Sequence, residues 1–125
     1  MLGTVGGQER AFGNPWCGRI CSVTYSTYKR WILNSGISTH EVGAFVRQEI
    51  TPHYARLSPA VVLHLEAVDG DPSVLAIQRW PDRRTFDAAF SDPSFQTWWK
   101  EYEPILHRWD ALVSFDAEWS TETII

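Results

Sequence analysis

Two polar side chains that are able to move a proton stand two residues apart in one apolar stretch. His64 and Glu66 lie within the sequence AVVLHLEAV, which alternates as a strand does. Side chains two apart on a strand share a face, so the Glu66 carboxylate is placed to orient the His64 imidazole. A histidine held in this way is a general base with a pKa near neutrality. The alternative interpretation is an ion pair at the protein surface without a chemical role.

The next apolar stretch, VLAIQRW, predicts a second strand that carries an aromatic side chain. Its alternation places Gln78 and Trp80 on one side and Ile77 on the other. Asp69 to Pro72 is a turn sequence, so the two stretches predict a hairpin. Sorting the predicted strands by alternation gives one apolar face and one mixed face. The polar and aromatic members of the mixed face are expected to be Asn34, His64, Glu66, Gln78, Trp80, Ser114 and Asp116.

A helix with a recognisable cap follows the first strand of the sheet. Ser38, with a glutamate three residues later, forms a capping box, and the apolar spacing predicts a helix over residues 39–51. Pro52 then either ends this helix or begins a further short turn. His53 and Tyr54, which come next, are candidates for reaching the mixed face from a helix.

The order of the elements predicts an α+β domain. Asp82 and Asp92 are each expected to begin a helix, because aspartate is a favoured N-cap residue. Strand, helix, strand, strand, helix, strand is the ferredoxin-like βαββαβ order. The strands are expected at residues 30–36, 60–68, 74–80 and 112–119, and the second helical region at residues 82–109.

The amino-terminal residues have no place in this unit. Residues 18–28 are rich in β-branched and aromatic side chains, which predicts an extra strand paired with a sheet edge. We therefore divide the chain into an N-terminal arm, residues 1–27, and a domain, residues 28–125. Cys17 and Cys21 in the arm are expected to be free thiols, since two cysteines without further ligands do not make a zinc site.

Composition limits the classes of partner. The net charge is −4 and the eleven Lys and Arg are scattered, so we expect no nucleic-acid surface. No apolar run approaches the roughly 20 residues that span a bilayer, and the first residues lack a secretory signal; we expect no membrane contact and a cytoplasmic location. No nucleotide-binding glycine motif or metal-ligand cluster is present, so we expect no cofactor. Seven Trp in 125 residues favour an aromatic-lined cleft.

A strand that ends in Trp80 is followed by Phe86 six residues on and then by a helix start at Asp92, Pro93 and Phe95. With the order of the elements, this pattern resembles the antibiotic biosynthesis monooxygenase (ABM) superfamily of dimeric α+β barrels. The resemblance covers about Tyr28 to Trp119 and implies a homodimer in which two sheets pair. The superfamily includes cofactor-free quinone-forming monooxygenases, haem-degrading enzymes and isomerases, so the likeness alone does not fix the reaction.

The resemblance also implies roles for particular residues. Trp80 stands where the quinone-forming and haem-degrading branches have a strand-borne Trp. The quinone-forming branch has an Asn four residues before it; Ala76 stands there in this chain, and Asn34 is the expected substitute from another strand. The haem-degrading branch has a His on the second helix, but His107 lies beyond that segment, so haem degradation ranks lower.

Two classes of function remain open. The first is a cofactor-independent monooxygenase that acts on an aromatic or polyketide-type small molecule, with His64 ionising the substrate and Trp80 and Asn34 completing the catalytic set. A cyclase or isomerase would use the same base. The second class is a non-catalytic dimer that binds a small molecule. The expected substrate-binding residues are Glu66, Gln78, His53, Tyr54 and Asp116.

Overall fold

The computed structural model describes residues 24–124, which form one four-stranded antiparallel sheet with helices packed on it. The strand order is β2-β3-β1-β4, so the first and third strands are central, as the ferredoxin-like prediction requires. The α+β fold class is confirmed. The strands are β1 (Tyr25–Leu33), β2 (Val62–Ala67), β3 (Ser73–Trp80) and β4 (Val113–Glu122), and the helices are α1 (Thr39–Phe45), α2 (Thr51–Leu57), α3 (Arg83–Ser91) and α4 (Phe95–Trp109).

The first strand begins earlier than expected. Tyr25 to Tyr28 belong to β1, where they pair with β3 on one side and β4 on the other. They were expected in a separate edge strand, but their alternation continues into the main strand and both of their edges are hydrogen-bonded. Residues 25–27 of the expected arm therefore belong to the sheet. Residues 1–23, which include Cys17, Cys21 and most of the expected extra strand, lie outside the described residues, and the arm stays a prediction there.

The first helical region continues through Pro52. The capping box is confirmed, because the Ser38 hydroxyl accepts from the Glu41 N–H at 3.2 Å and the Glu41 carboxylate accepts from the Ser38 N–H at 3.3 Å. A π-helical turn, Val46–Ile50, follows α1. This wide turn accommodates Pro52, whose ring would otherwise collide with the carbonyl four residues earlier. Of the two outcomes predicted at Pro52, a further helical turn is therefore the one observed, as α2.

The helix starts in the second half differ slightly from expectation. Asp82 caps α3, since its carboxylate accepts from the Thr85 N–H at 2.7 Å. Asp92 forms a turn instead of a cap: its carboxylate accepts from the N–H and the hydroxyl of Ser94, and α4 begins at Phe95. Both aspartates accept hydrogen bonds from backbone N–H groups. A short polar side chain can do so in a turn as readily as at a helix cap, so the residue type alone does not distinguish the two.

The helices pack on one face of the sheet, which we call the helix-covered face. Aromatic and β-branched side chains from both layers are buried there, and their removal from water holds the layers together. The opposite face, which no helix of the described chain covers, we call the open face. The core cluster consists of Val42, Ile50, Tyr54, Val74, Trp98, Tyr102, Trp109 and Val113. The open face carries Tyr28, Ile32, Val62, His64, Glu66 and Trp119.

A bulge in β4 changes which of its side chains face the helices. Trp31 pairs with Phe115 and Arg30 with Ala117, so Asp116 has no residue opposite it. Unbroken alternation would put Phe115 and Trp119 on one face. The extra residue separates them, and Trp119 lies on the open face, 5.4 Å from the Tyr28 ring in a stacked arrangement.

Candidate functional site

A cavity of about 330 Å³ lies between the helix-covered face and the helices. All four strands contribute side chains to its sheet side, and aromatic rings from the helices form most of its opposite wall. A cavity of this size and lining suits a flat aromatic molecule. The sheet side comprises Thr27, Lys29, Trp31, Leu63, Leu65, Ala76, Gln78 and Glu118, and the aromatic wall comprises Tyr54, Phe86, Phe90, Trp98, Trp99, Tyr102 and Trp109.

Gln78 connects a strand tryptophan to a helix tyrosine beside this cavity. The Trp80 indole N–H donates to the Gln78 side-chain oxygen at 3.0 Å, and the Gln78 side-chain nitrogen donates to the Tyr54 hydroxyl at 3.1 Å. Because both ends of the amide are used, the orientation of Gln78 is fixed. Trp80 itself is 1% exposed and packs edge-on against Phe86 at 5.5 Å. The hydrogen bond from the buried Trp80 thus holds the Gln78 side chain in place.

Two buried tyrosine hydroxyls stand at the wall. Burial raises the pKa of Tyr54 to about 12, against a smaller opposing effect of its hydrogen-bond partners Tyr102 and Gln78. The pKa of Tyr102 is also raised, by burial first and then by the neighbouring Tyr54 hydroxyl. Both hydroxyls therefore keep their protons at neutral pH. The Tyr54 hydroxyl accepts from Gln78 and from Tyr102, so its own O–H is available as a neutral hydrogen-bond donor.

His53 is buried in the helical layer. Its ring stacks on Trp98 at 4.6 Å and on Tyr102 at 5.3 Å. The His53 Nε2 donates to the Trp98 carbonyl at 3.0 Å, and the Trp98 indole N–H donates to the His53 carbonyl at 2.7 Å. His53 thereby fixes α2 against α4. It stands behind the aromatic wall and does not border the cavity.

The structure separates His64 from Trp80. In the register between β2 and β3, Leu63 is opposite Gln78 and His64 is opposite Ile77. Directly opposite residues of an antiparallel pair share a face, so His64 points to the open face while Gln78 points to the cavity. The expectation that His64 and Trp80 share one face is wrong, because alternation within a strand does not say how two strands align.

Glu66 lies on the same face of the sheet as His64. Both residues are exposed on the open face, two apart, as the sequence predicted. His64 and its partner Ile77 are among the residues at the border of the cavity, but the register places both side chains on the open face. Neither the imidazole nor the Glu66 carboxylate is therefore placed to remove a proton from a ligand in the cavity.

Asn34 and Asp116 hold the end of the sheet together. The Asn34 amide nitrogen donates to two backbone carbonyls of the connection between α4 and β4, at 3.1 and 3.3 Å, and its oxygen accepts from the Ser114 hydroxyl at 2.7 Å. Asp116, at the bulge, lies 3.3 Å from the Arg30 guanidinium. Neither side chain borders the cavity. Of the expected site residues, Gln78 and Tyr54 meet there and Trp80 supports them.

Sequence reasoning missed three polar residues of the cavity. Lys29 and Glu118 border it from β1 and β4, and Tyr102 borders it from α4. Lys29 preceded the expected start of the first strand, so its face was not assigned. The face of Glu118 was predicted from an unbroken alternation along the last strand, which the bulge in β4 interrupts. In the sequence Tyr102 is one member of an apolar helix pattern. Only its contact with Tyr54 in the structure distinguishes it from the other aromatic residues of that pattern.

No group of three or more His, Cys, Asp and Glu within residues 24–124 is arranged to hold a metal ion. In the same part of the chain, no helix has the length and apolar character needed to cross a membrane.

Solved structures with this architecture show which proteins share the fold. A candidate antibiotic biosynthesis monooxygenase from Chloroflexus aurantiacus J-10-fl aligns with a TM-score of 0.53 and 14% identity over 82% of this chain and 94% of its own. SnoaB, a cofactor-independent oxygenase from Streptomyces nogalater, aligns with a TM-score of 0.53 and 20% identity over 80% of this chain and 92% of its own. The chain has the ABM-type fold.

This likeness lies in the structure and not in the sequence. No protein-family model and no curated protein sequence matches the chain. At these identities, the ABM-type fold is shared while the side chains of the cavity are free to differ. The resemblance inferred from the segment around Trp80 is confirmed at the level of the fold.

The raised pKa of Tyr54 predicts a pH dependence of folding. An unfolded tyrosine ionises near pH 10, whereas folded Tyr54 ionises at about 12, so the stability present below about pH 10 is lost as the pH rises toward 12. Between about pH 8 and about pH 11, Tyr54→Phe should lose about 1 kcal/mol less free energy of unfolding than the parent, as measured by urea denaturation.

Tyr28→Phe is the matched control for this measurement. The pKa of Tyr28 is lowered, first by its hydrogen bond with Thr121 and then by its hydrogen bond with Arg79. Its ionisation therefore adds stability as the pH rises, and Tyr28→Phe should lose more stability than the parent over the same range. Equal losses in the parent and Tyr54→Phe would show that the Tyr54 hydroxyl titrates normally.

Proposed function

We propose that the protein is a cofactor-independent monooxygenase-like enzyme that acts on an aromatic or polyketide-type small molecule. The observation that carries this proposal is the aromatic-walled cavity bordered by Gln78 and Tyr54, which are hydrogen-bonded to each other, with Trp80 bonded to Gln78 beside it. The ABM-type fold supports it, since one protein with this fold, SnoaB, is a cofactor-independent oxygenase.

The proposed chemistry needs an ionised substrate more than it needs a redox group. A phenolic substrate that loses its proton becomes electron-rich enough to react with O₂ directly. A ring carbon that carries two hydrogens in the keto form becomes a carbonyl; one oxygen atom of O₂ enters that carbonyl, and the other leaves as water with both hydrogens. The protein then has to exclude water, hold the ring and stabilise the negative oxygen.

The cavity residues supply these three functions. The aromatic wall stacks on the substrate ring and keeps water away. Tyr54 donates a hydrogen bond to the substrate oxygen as negative charge develops on it, which lowers the pKa of the bound phenol. Gln78 and Tyr102 fix the Tyr54 hydroxyl in position before the substrate arrives. In this scheme the phenol gives its proton to bulk water as it enters, before the aromatic wall encloses it, because His64 lies on the open face.

The same arrangement would stabilise an enolate in a cyclisation or isomerisation. Those reactions differ from oxygenation in that they consume no O₂. A protein that only binds the ligand would show neither O₂ uptake nor a changed product, so one assay separates the three functions.

The turnover prediction compares Tyr54→Phe with His64→Ala. With a panel of two-ring and three-ring phenols and hydroquinones, O₂ uptake and product mass report oxygenation. Tyr54→Phe should lower kcat about 10²-fold, as loss of one oxyanion donor does. His64→Ala and the matched control Tyr28→Phe should both stay within about twofold of the parent.

The opposite pattern decides against this assignment. If His64→Ala lost most of the activity and Tyr54→Phe kept it, the reaction would take place on the open face with His64 as the base. Substrate conversion without O₂ uptake would assign the cyclase or isomerase function instead.

We further propose a homodimer in which two open faces meet. Val62 is 53% exposed and Trp119 is 44% exposed on this face, and Ile32 is a further apolar side chain on it. An uncovered sheet face with large exposed apolar side chains gains free energy when a second copy covers it, and a two-fold axis brings the same surface from both copies together. The cavity lies on the other side of the sheet, so each protomer would keep its own.

Sedimentation velocity tests this assembly. The parent should sediment as a dimer at micromolar concentration, and Val62→Asp should shift it toward monomer because a carboxylate would be buried at the interface. Ala55→Asp, an equally exposed position on α2, should leave the dimer unchanged. A monomeric parent, or equal dissociation in both variants, would contradict the proposed interface.

A further inference from the structure

Two opposite charges stand on the border of an otherwise apolar cavity. Lys29 and Glu118 are directly opposite each other in the pairing of β1 with β4, and both border the cavity. They also border a second, open cavity of about 260 Å³ on the same two strands. Both side chains are exposed, so a ligand that enters either cavity can reach them.

This pair does not behave as an ordinary cross-strand ion pair. Oppositely charged residues that face each other across two strands usually contact one another. Among residues 24–124, however, neither Lys29 nor Glu118 takes part in an ion pair. Other charged side chains of the sheet do pair, as Arg30 does with Asp71 and Asp116. The Lys29 ammonium is therefore available to a ligand.

The neighbours of Lys29 favour a ligand at this position. Ala76 lies opposite Lys29 on β3, and its small side chain leaves room over the middle of the sheet. The next rung along β1 carries Thr27 opposite Gln78, which ends at the Tyr54 hydroxyl. Lys29 thus stands one rung from the hydrogen-bonded series. Lys29 is the only lysine or arginine that borders this cavity in the described chain.

We infer that Lys29 is a specificity-determining residue that binds an anionic oxygen on an aromatic ligand, either a ring carboxylate or an ionised ring hydroxyl. The inference rests on the proposed function in taking the ligand to be aromatic, and it adds the charge that the ligand carries. Glu118 restricts where this oxygen can bind, because its carboxylate repels an anionic group that is not held by Lys29. The pair thereby selects where the anionic oxygen sits.

Ligand binding measured by tryptophan fluorescence tests this inference without any turnover. Naphthoate and naphthamide share one ring system and nearly one shape but differ in charge. The parent should bind naphthoate about tenfold tighter, the effect of one charge-assisted hydrogen bond. Lys29→Met should remove this preference and leave the naphthamide Kd within about twofold, Lys29→Arg should keep the preference, and Glu118→Gln should increase it.

Lys100→Met is the matched control, because Lys100 is exposed on α4 and does not border the cavity; it should leave both Kd values unchanged. A dihydroxynaphthalene arm separates the two sources of the anionic oxygen, because one hydroxyl can bind at Tyr54 and the second at Lys29. If dihydroxynaphthalene binds more tightly as it ionises with rising pH, and Lys29→Met abolishes that gain, the ionised hydroxyl is the group recognised. A charge preference in the naphthoate arm alone assigns the carboxylate.

The inference is overturned if neither arm shows a charge preference that depends on Lys29, or if the parent binds none of these ligands at millimolar concentration. Its failure is distinct from failure of the proposed function. Oxygenation of phenols without any charge preference would reject the role of Lys29 alone. A preference that depends on Lys29, without oxygenation of any phenol, would reject the proposed reaction and keep this subsite.

Discussion

The alignment of the strands is the constraint on which the site depends. In an antiparallel sheet every residue shares a face with the residue opposite it, so one register fixes a whole row of side chains. Here Leu63, Gln78, Thr27 and Ser120 form one such row across the four strands. A shift by one residue would replace Gln78 with Arg79 at the cavity and would leave Tyr54 without its hydrogen-bond partner. The hairpin turn between β2 and β3 holds this register through the hydrogen bond that the Val68 N–H donates to the Ser73 carbonyl at 3.0 Å.

The aromatic side chains serve the core and the cavity together. Trp98 contacts Tyr54, Tyr102 and His53, and it exchanges two hydrogen bonds with His53 across α2 and α4. These contacts bury large rings and fix their orientations, which keeps the wall rigid without a bound ligand. Four of the seven tryptophans, Trp31, Trp98, Trp99 and Trp109, border the cavity, and a preformed wall reduces the entropy lost when a ligand is ordered.

Local signals in the sequence were sufficient for the elements and not for the site. The capping box at Ser38, the turn before β3 and the cap at Asp82 depend on neighbouring residues, and all were predicted. The position of His64 relative to Trp80 depends on pairing between two strands, which alternation leaves undetermined. The bulge at Asp116 and the early start of β1 likewise arise from contacts along the whole strand, and they concealed Glu118 and Lys29.

The proposed function depends most on ligands binding on the helix-covered face at the Tyr54 hydroxyl. A crystal structure with a bound naphthol tests this most directly. The naphthol ring should lie between the aromatic wall and the sheet, with its oxygen within about 3.2 Å of the Tyr54 hydroxyl oxygen. A naphthol bound on the open face, with its oxygen at His64, would contradict it.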